Sequence, residues 1–132
     1  MAKSIKYKVY DTINKTIYTT FVSLCPDGSI IYLNEEGMWE EDNKNRFIAL
    51  LYSDVKDING NDIYEGMKVR CSNMWVGDYI EKGGECDVIF EDGSFVIKGI
   101  GDVEVNNTLD EACVYNGKIK IIGWSFDVRN EI

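Results

Sequence analysis

Histidine is absent from this chain of 132 residues. Its absence removes the commonest general base, the commonest metal ligand and every triad built on imidazole. Proline occurs once, at Pro26. The apolar runs are only a few residues long, too short for a bilayer-spanning helix, and no membrane partner is expected. Cys25, Cys71, Cys86 and Cys113 are widely spaced and form no Cys-x-x-Cys pair. They read as buried or half-buried thiols; a zinc site gathered from four distant positions and a disulfide framework are the lesser alternatives. Both phosphate fingerprints are missing: Gly99-Ile100-Gly101 is a lone G-x-G, and no glycine-rich loop ends in Gly-Lys-Ser/Thr. Ser–Lys and paired-carboxylate chemistry stay open in composition, but no motif supports either. No cofactor is expected.

What is present points to a folded, soluble domain. Apolar residues make up 45% of the chain, too many for a disordered segment. Met1-Ala2-Lys3-Ser4 leads straight into a strand pattern without an apolar signal core, so a cytoplasmic location is expected. The 14 basic and 23 acidic residues give a net charge of −9. A field of that sign repels phosphates unless the cations cluster, so nucleic acid is the weaker partner expectation. The same charge suits an acidic decoy for a basic site on another protein.

The rhythm is strand and turn throughout. Ile5, Tyr7 and Val9 alternate with Lys6, Lys8 and Tyr10, and Asp11 to Lys15 reads as a polar turn. Thr16 to Leu24 is β-branched and aromatic, which predicts one long strand. Pro26-Asp27-Gly28-Ser29 is a turn, with Ser29 to Leu33 returning as a strand. Met38 to Arg46 reads as a loop or short helical turn. Phe47 to Tyr52 is a buried strand or one buried helical turn, with the strand preferred. Asn59-Gly60-Asn61 is a turn that needs positive φ, and Gly66 opens the alternating Met67-Lys68-Val69-Arg70. Asn73 to Glu81 reads as a loop. Glu85 to Phe90 and Ser94 to Lys98 flank Glu91-Asp92-Gly93, the strongest hairpin signal in the chain. Thr108-Leu109-Asp110-Glu111 fits a capping box for one short helix ending at Asn116-Gly117, with a loop as the alternative, and Lys118 to Trp124 is the last strand.

The expectation is therefore an all-β fold: short antiparallel strands and hairpins in a sandwich or partly open barrel, with at most one short helix. The second half has the rhythm of an SH3-like barrel. A single domain over residues 1–132 is expected, with sub-lobes dividing at 53/54.

Several phrases resemble the YopX family, small proteins of bacterial phages and prophages. Asp54 to Val69, DVKDINGNDIYEGMKV, is similar to the family's "GLKDKNGKEIYEGDIV". Ile5 to Asp11 resembles "IKFRAWD", and Val88 to Phe95 resembles "V-x-F-x-D-G-x-F". Ile119 to Trp124 followed by Asp127 to Glu131 resembles "VIGNIYENPE". Two departures stand out: Met67 replaces the acid that follows "YEG", and the tail proline is absent. The resemblance implies a β-rich fold and a phage or prophage origin. It implies no reaction and no catalytic residue.

Two groups of residues invite chemistry. Asp54, Asp57, Asp62 and Glu65 cluster in sequence, but counting from Asp57 puts glycine fourth and glutamate ninth, which fails the calcium-loop pattern. A turn whose Asp and Asn side chains bind nearby N–H groups is the preferred reading, and no metal residue is assigned. Met74, Trp75 and Tyr79 are the candidate partner contacts, as aromatics in a predicted loop. The leading functional expectation is a non-enzymatic module that binds a host or phage protein, with self-association along a strand edge as an accompaniment. The alternatives are a nucleic-acid-binding barrel and a metal-dependent enzyme using the carboxylate cluster.

Overall fold

The structure, a computed structural model, describes residues 6–76, 79–101, 106–115 and 117–132, with side chains outside 73–83, 106 and 114–115. Among them lie thirteen strands and one helix. In chain order these are β1 (Tyr7–Asp11), β2 (Thr16–Tyr18), β3 (Val22–Leu24), β4 (Ile30–Leu33), β5 (Trp39–Glu41), β6 (Phe47–Lys56) and β7 (Asp62–Tyr64). They continue with β8 (Met67–Val76), β9 (Tyr79–Glu91), β10 (Ser94–Gly99), β11 (Asn106–Thr108), α1 (Leu109–Tyr115), β12 (Ile119–Trp124) and β13 (Asn130–Glu131). The all-β expectation holds, and the one helix spans two turns. No helix among the described residues is long and apolar enough to cross a membrane.

The chain forms two compact units, Met1–Leu51 with Asp127–Ile132, and Tyr52–Phe126. In the first unit β1 pairs antiparallel with β2 and with the start of β6, and β13 lies parallel to β2. A second sheet there has the order β3-β4-β5. The small core comprises Val9, Ile30 and Phe47, flanked by half-buried Tyr7, Tyr18, Val22, Leu24, Tyr32 and Ala49.

The second unit is larger. Its antiparallel sheet runs β11-β10-β9-β8-β12, and the end of β6 pairs with β7. The alternation read at Gly66 is real: Met67, Val69 and Cys71 are buried while Arg70 and Ser72 are exposed. Val69, Cys71, Cys86, Val88, Ile97 and Ile119 join Leu109 and Ala112 of α1 in one core cluster. Gly66 itself takes φ 85° and its N–H donates to Val88. The capping box closes as read. The Glu111 N–H donates to Thr108 Oγ1 at 3.2 Å, and the Thr108 N–H donates to Glu111 Oε2 at 3.4 Å.

Three segments differ from expectation, each for a local reason. Thr16 to Leu24 is two strands, β2 lying between β1 and β13 and β3 following after a break. Phe21 takes φ 68°, turning the chain so that β3 pairs with β4 instead. Met38 to Arg46 contains β5: Asn34 Oδ1 accepts from the Glu36 and Met38 N–H groups, Gly37 takes φ 78°, and the chain folds back onto β4. Of Asn73 to Glu81, Asn73 to Val76 and Tyr79 to Glu81 are no loop but parts of β8 and β9, in register from Asn73↔Lys82 to Val76↔Tyr79; residues 77 and 78 lie outside the described residues.

The phrase around Asn59-Gly60-Asn61 folds around one carboxylate. Asp57 Oδ1 accepts from the Asn59 and Asn61 N–H groups, both at 2.9 Å, and Gly60 takes φ 79°. Asp57 Oδ2 accepts from Ile121 in β12 at 3.0 Å, next to the irregularity between Ile121 and Gly123. Burial alone would raise the Asp57 pKa, but these three backbone donors hold it below the ordinary carboxylate value. Removing the carboxylate strands three N–H groups. Asp57→Ala is expected to lower stability by about 2–4 kcal/mol in urea unfolding. The wild-type contribution is full above the unfolded value of about 3.9 and is lost as pH falls through the lower folded value. A variant of unchanged stability at neutral pH would contradict this role.

Candidate functional site

An open cleft of about 720 Å³ lies within the first unit. Tyr18, Phe21, Tyr32 and Phe47 supply aromatic walls, and Glu35, Glu36 and Glu40 supply carboxylates. Arg46 is the one cation among its described lining residues. A second concavity of about 330 Å³ shares Tyr32, Glu40 and Arg46 with it and adds the charged Glu41, Asp42 and Lys44. The arrangement starts from local chemistry. The Asn34 to Gly37 turn sets Glu35 and Glu36 at one end of β4, and the return along β5 sets Glu40 opposite Tyr32. Burial and the neighbouring Glu40 carboxylate push the Tyr32 phenol above its ordinary value.

Arg46 is fixed from both ends. Its carbonyl accepts from the Thr12 N–H at 2.9 Å and the Thr12 hydroxyl at 2.8 Å. The Asp42 carboxylate accepts from the N–H groups of Lys44, Arg46 and Phe47, which shapes the approach to β6. The guanidinium then forks onto Asp11, with Nε 3.0 Å from Oδ1 and Nη2 2.8 Å from Oδ2. It lies 4.8 Å from the Phe47 ring centroid and 5.7 Å from that of Tyr32. One cation is thus held by carboxylate and aromatic faces together, the two groups that recognise guanidinium best.

Asp11 is read from sequence as the start of a turn. In the structure it ends β1 and is 0% exposed. Its Oδ1 also accepts from the Ile13 and Asn14 N–H groups, at 2.9 and 3.2 Å. Burial would raise its pKa; the Arg46 bonds and the two backbone donors outweigh this and lower it. The bond to Asp11 in turn raises Arg46 above its ordinary value. An Asp before Thr12-Ile13-Asn14-Lys15 carries an Asx-turn signal that sequence reading can use. Its pairing with Arg46 has no local signal.

The sequence candidates fare differently. Met74 and Trp75 lie on the backbone of β8 and Tyr79 on that of β9, and their side chains lie outside the described residues. Of the acidic quartet, Asp57 binds backbone, Asp62 pairs with Lys56 at 2.7 Å, and Asp54 takes φ 64° where the β6–β7 register shifts. Among the described residues no three acids or thiols converge as a metal site. The cysteines are free, with Cys71 and Cys86 buried, Cys25 half-buried and Cys113 exposed, against the buried reading for the last. Sequence reading also passed over Trp39 on β5, which is 56% exposed.

The fold is similar to the crystal structure of the yopX protein from Bacillus subtilis, with a TM-score of 0.57 and 16% sequence identity, covering 93% of each chain. The chain therefore has a YopX-like fold. No protein-family model and no curated protein matches it.

Replacing Arg46 leaves a buried carboxylate with only its two backbone donors. Arg46→Ala is expected to cost about 3 kcal/mol in urea unfolding, and Arg46→Lys to recover only part of it, since an ammonium cannot fork onto both oxygens. Because the folded pKa of Asp11 is depressed, the wild-type advantage is present above about pH 4 and fades as pH falls through the folded value. Equal stability of Arg46→Ala and wild type at pH 7 would contradict the pairing.

Proposed function

We propose that this chain is a non-enzymatic, cytoplasmic protein-interaction module of phage or prophage origin, and that the cleft of the first unit is its working surface. One observation carries the reading: the cleft holds a guanidinium of its own over Tyr32 and Phe47, and Glu35, Glu36 and Glu40 add three carboxylates beyond the one that neutralises it. The surface therefore has acidic and aromatic capacity left for a cation brought by a partner. A lysine or arginine side chain at the surface of another protein fits that chemistry. The overall charge of −9 favours the encounter and disfavours phosphate-bearing partners. The lack of histidine in the chain and the occupied carboxylates of Asp57 and Asp62 support a role in binding rather than catalysis.

Affinity capture from nuclease-treated bacterial lysate tests the reading. A protein retained in stoichiometric amount is expected to survive nuclease and to be lost, by about tenfold or more, on Glu40→Lys, since like charges facing each other at an interface are costly. Capture that disappears with nuclease would replace this reading with a nucleic-acid module. Capture indifferent to Glu40→Lys would remove the cleft from it.

A further inference from the structure

We infer that the open edge of β5 takes an added strand from a partner protein, and that this strand is extended and basic. The inference rests on the cleft reading above and deepens it by naming the form of the partner. Among the described residues β5 is paired with β4 alone. Its flanks show which backbone groups that pairing uses: the Met38 carbonyl accepts from the Asn34 N–H, and the Asp42 N–H donates to the Ile30 carbonyl. In an antiparallel ladder these roles recur at every second residue. Trp39 and Glu41 therefore turn their N–H and C=O groups to the outer edge. All three residues of β5 are exposed, as is Met38 before it, at 62%.

Natural edges are blunted by short length, charged side chains, proline or a covering loop. This edge is short and carries two acids, whose sign repels acidic strands and favours basic ones. Full antiparallel overlap with a second copy sets Glu40 against Glu40, a like-charge pair in a chain that is already strongly anionic. A strand bearing arginine or lysine meets the opposite situation. Successive side chains of β5 fall on alternate faces, so Trp39 and Glu41 share one face and Glu40 lies on the other. An arginine on the first face stacks on the indole and reaches Glu41. A cation on the second meets Glu40 at the cleft, where Glu35 and Glu36 also lie. Backbone pairing supplies affinity, and charge at alternating positions supplies selectivity.

The test uses isotope-labelled full-length protein and three short synthetic peptides: alternating arginine and valine, the same peptide N-methylated at every residue so that neither edge can pair, and alternating glutamate and valine. Amide hydrogen exchange and chemical shifts are read residue by residue. The arginine peptide is expected to slow exchange of the Trp39 and Glu41 amides about tenfold or more, and N-methylation to weaken binding by about tenfold. The glutamate peptide is expected not to bind. Shifts confined to Tyr18, Tyr32 and Phe47, with unchanged Trp39 and Glu41 amides, would overturn strand addition while leaving the cleft reading intact. So would equal binding of the N-methylated peptide. Protection that rises with protein concentration alone would give the edge to a second copy of the chain. No binding of the arginine peptide at millimolar concentration would overturn both readings.

Discussion

A carboxylate with no exposure, set in a unit whose core is only a few side chains, must find donors for both oxygens. Asp11 finds them in two places: the turn that follows its own strand, and a guanidinium 35 residues away. That one requirement fixes the β1–β2 turn, the path from Asp42 into β6, and the position of the Arg46 side chain over Tyr32 and Phe47. The Asp42 carboxylate and Thr12 hold the Arg46 backbone so that the fork is presented without free rotation. The cleft inherits its geometry from this arrangement. Sheet pairing sets its aromatic walls, and the buried negative charge draws the Arg46 guanidinium across two of them, Tyr32 and Phe47.

The second unit solves a similar problem without a cation. Asp57 directly follows a strand, also caps the turn there, and also reaches a distant element, but its third donor is the Ile121 N–H. Neutral backbone donors close the β6–β7 turn onto β12 and leave no charged group over. The difference bears on function. The first unit couples its buried acid to an aromatic cleft lined by further carboxylates, whereas in the second unit Asp57 serves turn geometry and Asp62 a lysine pair. The chain's acidic character therefore has two parts, one that closes turns and one that lines the cleft of the first unit.

Turns were the most legible feature of the sequence, because glycine and Asx chemistry act over a few residues. The Asp27-Gly28 and Asn59-Gly60 turns, the Asp92-Gly93 hairpin and the Thr108 capping box all form where their residue types require, with Gly28, Gly60 and Gly93 at positive φ. The YopX-like fold was legible in short phrases. Strand interruptions were not, since Thr16 to Leu24 has strand propensity throughout, yet the chain turns at Phe21 and its second half pairs with β4. β5 was hidden for the opposite reason. Its acids argue against a strand, yet the Asn34 to Gly37 turn delivers them to β4. The cleft joins residues from Tyr18 to Phe47 through sheet pairing, and pairing partners have no signature in a single chain. For the same reason Trp75 and Tyr79, close together in sequence, stand out in the chain and Trp39 does not.

Titration of the labelled protein with arginine amide, read at the ring resonances of Tyr18, Phe21, Tyr32 and Phe47, tests the central claim most directly. The account predicts saturable shifts at these rings and little response to uncharged citrulline amide. Equal responses to the two compounds, or shifts that never saturate, would contradict a cleft built to receive a cation.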